Sequence, residues 1–306
     1  MRLEGRDSAA KPQTAKQQSA SKQHAITIQA SLLKALQFIV SSSLLLSLNG
    51  AMVVIFGFVL YGSRLLPELL IAAFLVTFAV YGLNKVTDQM EDAINRPEAL
   101  PKAPNYYVAL SIASMTAGFL IGLFDGAFYF AVLLTPIALG VIYSVRISKS
   151  IPRLKEIVGV KSLVVALSWA LTGCLLPDSI QAAKPEAASI IFAYIFIRVF
   201  VGTVLFDVLD KKGDLATGVK TIPIKLGKTR TKVLLLLLNT IGVLLVVYCL
   251  LKGLFAPFIP ALLFGVVYGY FAIWFFLRAN CNRFIASLML DAEWLPMLII
   301  ISVLIQ

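Results

Sequence analysis

Acidic residues are scarce in this chain, 16 in 306, yet five aspartates fall into two short runs. The first reads Asn84-Lys85-Val86-Thr87-Asp88-Gln89-Met90-Glu91-Asp92, the second Asp207-Val208-Leu209-Asp210-Lys211-Lys212-Gly213-Asp214. Asn84, Asp88 and Asp92 are spaced four apart, and Asp207, Asp210 and Asp214 are offset by three and four. The spacing predicts that each set shares one helix face. Like charges crowded on two helix ends repel unless a cation lies between them. Carboxylates and an amide are hard oxygen donors of the kind that hold Mg2+, which takes one or two carboxylates and completes its shell with water and phosphate oxygens. Two such runs facing each other would clamp Mg2+ on a diphosphate, with neighbouring lysines on the outer phosphate oxygens. A solvated acidic loop has no reason to repeat this spacing at the same end of two apolar segments.

The elements that must position these runs are membrane helices. Of the chain, 59% is hydrophobic and only 14% charged, and the mean hydropathy is +0.88. That excludes an ordinary water-soluble enzyme and a disordered chain. Nine apolar segments, at about 33–61, 67–88, 106–124, 128–147, 160–177, 187–209, 232–251, 256–277 and 286–305, have the length of membrane spans. None shows the ten-residue alternation of a barrel strand. The expected fold is an all-α integral membrane bundle of nine helices over residues 31–306. Residues 1–30, polar and lacking a signal peptide's apolar stretch, are expected to be a disordered tail.

Charge sets the orientation. With nine spans, the tail and the even-numbered loops carry 6, 3, 5, 7 and 2 of the 27 Lys and Arg residues, which is 23. The opposite side carries Arg64, Lys184 and Lys252, and Arg198 lies inside the sixth span. Basic loops face the cytoplasm, so the N-terminus and both aspartate runs are expected there. The net charge of +11 then reports topology, and no nucleic-acid partner is expected. The single histidine, His24, lies in the tail, and Cys174, Cys249 and Cys281 are far apart. Disulfide frameworks, zinc sites and histidine bases are therefore not expected.

Asp88 and Asp210 are 122 residues apart, as are Asp92 and Asp214, which suggests a duplicated four-helix unit with its site between the halves. At this point the chain resembles the UbiA superfamily of intramembrane prenyltransferases. Asn84, Asp88 and Asp92 look like that family's first aspartate-rich motif. Asp207, Asp210, Gly213 and Asp214, followed by Gly218-Val219-Lys220-Thr221-Ile222-Pro223 and Leu226-Gly227, are similar to its second. Tyr143-Ser144 and Pro152-Arg153-Leu154-Lys155 resemble its stretch between the fourth and fifth spans. Lys85 departs from the pattern, since many members carry Asp directly after the first Asn.

The resemblance implies Mg2+-dependent transfer of a prenyl group from an allylic polyprenyl diphosphate, its tail in the bilayer, to an aromatic or other lipophilic acceptor. It places Asn84, Asp88, Asp92, Asp207, Asp210 and Asp214 at the Mg2+-diphosphate positions, with Asp88, Asp92, Asp210 and Asp214 the catalytic set. Lys155, Lys211 and Lys220 are candidate diphosphate contacts, and Tyr143 is a candidate for lining the chamber or facing the carbocation. Arg198, buried in a span, is a candidate acceptor contact or a structural partner of a polar residue such as Asn49. Asp291 and Glu293, near the start of the ninth segment, are either flanking charges or groups that approach the acceptor. Lys161, outside both motifs, is expected to be a bystander. The competing reading is a cation-coupled carrier, but carriers place coupling carboxylates near the bilayer midplane, whereas these sit at helix ends beside basic loops.

Overall fold

The computed structural model describes residues 27–101, 103–144, 157–177, 185–278 and 282–305. These fold as helices: α1 (27–41), α2 (Leu44–Tyr61), α3 (Pro67–Thr87), α4 (Gln89–Asn95), α5 (Pro104–Asp125), α6 (Ala127–Ser144), α7 (Val160–Leu175), α8 (Pro185–Leu209), α9 (Lys211–Thr217), α10 (Ile222–Lys252), α11 (Ile259–Arg278), α12 (Arg283–Leu290) and α13 (Trp294–Ile305). Among the described residues, seven segments are long and apolar enough to cross a membrane, and two shorter apolar helices lie where the fourth and fifth spans are predicted.

Two predicted spans are each two helices. The segment predicted at 33–61 breaks at Ser43, whose φ of 72° is left-handed, and residues 27–30, assigned to the tail from composition, are already helical. The last segment breaks at residues 291–293, between α12 and α13. The tenth helix begins ten residues before the predicted 232 and kinks at Gly227, φ 72°.

The duplication is visible in the backbone. Thr87 ends α3 and Leu209 ends α8; Gln89–Asn95 and Lys211–Thr217 are the seven-residue helices that follow. Every one of these boundaries is displaced by the same 122 residues that separate Asp88 from Asp210.

Three buried apolar clusters hold the bundle. The largest joins α2, α8 and α13 through Phe56, Tyr194 and Trp294, with the Phe56 and Trp294 rings edge to face at 5.0 Å. A second gathers Leu205, Leu235 and Phe276 of α8, α10 and α11, and a third Phe58, Leu69 and Leu133 of α2, α3 and α6. Helix α5 lies close on α3 because Gly118 has no side chain: a Cβ there would stand 2.9 Å from the Val76 side chain and 3.1 Å from the Ala72 carbonyl. On the outer face, Leu237, Leu244 and Leu251 of α10 recur every seven residues and are exposed, as suits a helix solvated by lipid.

Candidate active site

Each aspartate run straddles a helix break. Asp88 (φ −103°, ψ 25°) separates α3 from α4, and Asp210 (φ −85°, ψ 0°) separates α8 from α9. This corrects the expectation of one continuous helix face: the central aspartate occupies the N-cap position of a short new helix, where Asp is a favoured residue. The bend turns Asp92 and Asp214 back toward the bundle, and both are buried, 4% and 0% exposed.

The two short helices pack on each other. The backbone N–H of Gly213 donates to Asn95 Oδ1 at 2.9 Å. Gly213 is required there, because a Cβ would meet Asn95 Nδ2 at 2.3 Å and the Glu91 carbonyl at 2.8 Å. One glycine in the second run thus fixes how closely the first run approaches it.

Basic side chains neutralise the aspartates. Arg96 Nε lies 2.5 Å from Asp92 Oδ1. Lys161 Nζ lies 3.2 Å from Asp214 Oδ1 and 3.5 Å from Asp207 Oδ1. Ser162 Oγ donates to Asp207 Oδ2 at 2.6 Å. Arg283 grips Asp210 with both terminal nitrogens, its Nη2 donating to Oδ2 at 2.9 Å. The second oxygens of Asp92 and Asp214 are different: each is buried with no hydrogen-bond partner. Such atoms are costly to leave unmet. Burial pushes the Asp214 carboxyl up to about 6, against the opposing pull of Lys161.

Both runs face one cavity of about 980 Å³, at the upper end of ordinary ligand-site volumes. Asn84, Asp88, Asp92, Asp207, Asp210 and Asp214 all line it. From this polar end it continues along Val53, Val76, Leu133 and Val165, past Tyr81 and Trp169, whose side chains are joined by a 3.2 Å hydrogen bond from Trp169 Nε1 to Tyr81 Oη.

Other predicted residues stand elsewhere. Lys211 and Lys220 are exposed and lie outside the cavity wall. Lys155 falls outside the described residues, as does the side chain of Tyr143. Arg198 does not line the cavity; it pairs with Glu293 at 2.6 Å and donates to Asn239 Oδ1 at 3.2 Å. Its partners in the fold are Glu293 and Asn239 rather than the suggested Asn49, and a buried guanidinium without such partners would cost several kcal/mol. Lys161 is no bystander, because it bridges two aspartates of the second run. Arg96 and Arg283 were not singled out from sequence. The spacing of Arg96 four residues after Asp92 was a signal for the first; nothing local signals Arg283, which meets Asp210 only through the fold. Asp291, buried, also lines the cavity.

Comparisons with known proteins agree on one family. The family described as UbiA prenyltransferase matches residues 52–290. A digeranylgeranylglyceryl phosphate synthase of Methanothrix thermoacetophila is 32% identical over 183 residues, 57% of this chain and 63% of that protein. The chain thus spans less than two thirds of that relative's length. A UbiA homolog from Archaeoglobus fulgidus bound to GPP and Mg2+ has the same fold, with TM-score 0.65 and 18% identity over 88% of this chain and 96% of that one. The same holds for the homolog bound to DMAPP and Mg2+, with TM-score 0.63 and 16% identity over 87% and 99%.

Proposed function

The chain belongs to the UbiA prenyltransferase family, and from that membership we propose that it transfers a prenyl group from an allylic polyprenyl diphosphate to a lipophilic acceptor, with Mg2+ that both aspartate motifs would hold. One observation carries this reading: two aspartate motifs, joined by Asn95 and Gly213, face a single cavity, and on each side a buried carboxylate oxygen lacks a partner. The hard oxygen donors of the two motifs suit Mg2+, which draws much of its shell from water and phosphate.

Asn84, Asp88 and Asp92 would hold the ion from one half, Asp210 and Asp214 from the other. Asp207 acts behind them: with its oxygens engaged by Ser162 and Lys161, it fixes Lys161 beside Asp214. Bound Mg2+ supplies Lewis-acid stabilisation of the negative charge on the departing diphosphate. Arg96, Lys161 and Arg283, which pair with the motif aspartates, would turn to phosphate oxygens where the carboxylates hold a cation. The allylic C–O bond breaks with its electron pair leaving on the diphosphate. The acceptor's nucleophilic atom then bonds to the allylic carbon and loses its proton. The apolar wall keeps water from the cationic carbon, and the Tyr81 and Trp169 rings offer it π-faces.

For the acceptor we favour a glycerol phosphate lipid over an aromatic ring, supported by the relative that is a digeranylgeranylglyceryl phosphate synthase. Incubating the purified protein with allylic diphosphates and either acceptor class, and weighing the products, tests this. Prenylated glycerol phosphate is expected with Mg2+; prenylation of the aromatic acceptor alone would overturn the acceptor assignment. The aspartate ends are taken to face the cytoplasm, as the charge asymmetry supports. An impermeant thiol reagent should then reach Cys281, which lies outside the described residues, only from that side.

A pH dependence follows. Protons and a cation compete for Asp214, whose carboxyl is pushed up to about 6. Lowering the pH protonates it and weakens cation binding. The Mg2+ concentration for half-maximal activity should rise about 4-fold between about pH 7.5 and about pH 5.5. Magnesium titrations at both pH values give the ratio, and an unchanged midpoint would contradict this role for Asp214.

A further inference from the structure

Four basic side chains line the cavity: Lys85, Arg96, Lys161 and Arg283. Three are paired with motif aspartates. Lys85 is not. It is 5% exposed, and its ammonium is buried with no hydrogen-bond partner. It faces the Tyr107 ring of α5, whose centroid lies 5.9 Å away, a distance at which a cation–π contact is weak. The charged groups acting on it are Arg96 and Asp92, and Asp92 already holds Arg96 through Oδ1.

An uncompensated ammonium inside a membrane bundle is costly and marks a functional position by default. A long side chain at a helix end ordinarily escapes by reaching to the interface, but Lys85 is buried instead. Its place in the helix sets it apart from the clamp. It follows Asn84 directly, about 100° further round α3, and faces Tyr107 of α5, the helix that packs on α3. The diphosphate has three other cations available to it. Lys85 is therefore a fourth, separate positive charge at the polar end of the cavity, beside the clamp.

We propose that Lys85 binds the anionic head group of the acceptor, so that this enzyme selects acceptors carrying a phosphate or carboxylate. This rests on the prenyltransferase reading above, because it is that reading which requires a second substrate in the cavity. When the acceptor's head group enters, the buried ammonium gains the counter-charge it lacks, in a charge-assisted hydrogen bond. Acceptors without the charge leave it unmet and bind weakly. Discrimination then comes from a buried group that one ligand satisfies and the other does not.

The test measures binding directly and needs no turnover. Purified protein in detergent is titrated with a long-chain monoalkyl glycerol phosphate, with the same monoalkyl glycerol lacking phosphate, and with inorganic phosphate, each followed by thermal shift. Wild type should bind the phosphate lipid at least 10-fold more tightly than the alcohol. Lys85→Met should weaken the phosphate lipid about 10- to 100-fold, the effect of one charge-assisted contact, and leave the alcohol unchanged. Lys85→Arg should recover part of the loss. Binding of an allylic diphosphate with Mg2+ should be unaltered in Lys85→Met, which also reports that the variant is folded. If Lys85→Met loses the allylic diphosphate instead, Lys85 belongs to the diphosphate site and the proposal fails. Equal losses for phosphate lipid and alcohol also overturn it, as does Lys85-dependent binding of inorganic phosphate as tight as that of the lipid. Lys85-dependent lipid binding in a wild-type protein that turns over no allylic diphosphate supports this subsite and overturns the prenyl-transfer reading alone.

Discussion

Asp92→Asn and Asp214→Asn are each expected to lower the rate of prenyl transfer by about 10²-fold or more while the bundle stays folded. Both residues present to the cavity a buried carboxylate oxygen with no partner, while the other oxygen is held by Arg96 or Lys161, so each variant weakens a carboxylate whose second oxygen nothing else in the protein uses. Asparagine keeps the shape and a carbonyl oxygen but is a far poorer ligand for a hard dication. Relief of repulsion between neighbouring aspartates offsets what the fold loses, and thermal stability should hold. Asp88→Asn and Asp210→Asn should fall in the same range. Asp210→Asn also frees Arg283, and its effect combines a lost ligand with a loosened arginine. Comparing kcat/KM with the unfolding temperature across the four variants separates chemistry from folding. Near wild-type kcat/KM in Asp92→Asn and Asp214→Asn would remove the metal-clamp role from these residues.

Gly213→Val should abolish activity, by about 10²-fold or more, although Gly213 carries no functional group. A side chain there meets Asn95 Nδ2 at 2.3 Å and the Glu91 carbonyl at 2.8 Å. The amide can rotate aside; the carbonyl is backbone of α4 and cannot. Helix α9 must move off α4, carrying Asp214 away from Asp92, and a displacement on the order of 1 Å at a catalytic centre can cost about 10²-fold. The packing of α2, α8 and α13 through Phe56, Tyr194 and Trp294 lies elsewhere, so insertion and the unfolding temperature should change little. Gly213→Ala should be intermediate. An active Gly213→Val would mean that contact between α4 and α9 does not set the spacing of the motifs.

What could be read in advance divides along a physical line. The six motif positions, their common end of the bundle and the 122-residue duplication are local or periodic features, and all were legible in the order of residues. The breaks at Asp88 and Asp210 were not. Aspartate is favoured at an N-cap but also occurs on exposed helix faces, and the packing of α4 on α9 decides between them here. Arg283 meeting Asp210, Lys161 bridging Asp207 and Asp214, and Arg198 meeting Glu293 are pairings across 73, 46, 53 and 95 residues. No local spacing encodes them. Lys211 and Lys220, candidates from the resemblance, are exposed; the order of residues does not say where each side chain points.

The central claim, a metal ion held on a diphosphate by two facing aspartate motifs, is tested most directly by binding of an allylic diphosphate to wild-type protein with and without Mg2+, measured calorimetrically beside Asp92→Asn and Asp214→Asn. The predicted result is tight binding with Mg2+, loss on adding EDTA, and a loss of comparable size in both variants with Mg2+ present. Binding of equal strength with EDTA, or in either variant, would contradict it and would leave the aspartates to the cation-carrier reading.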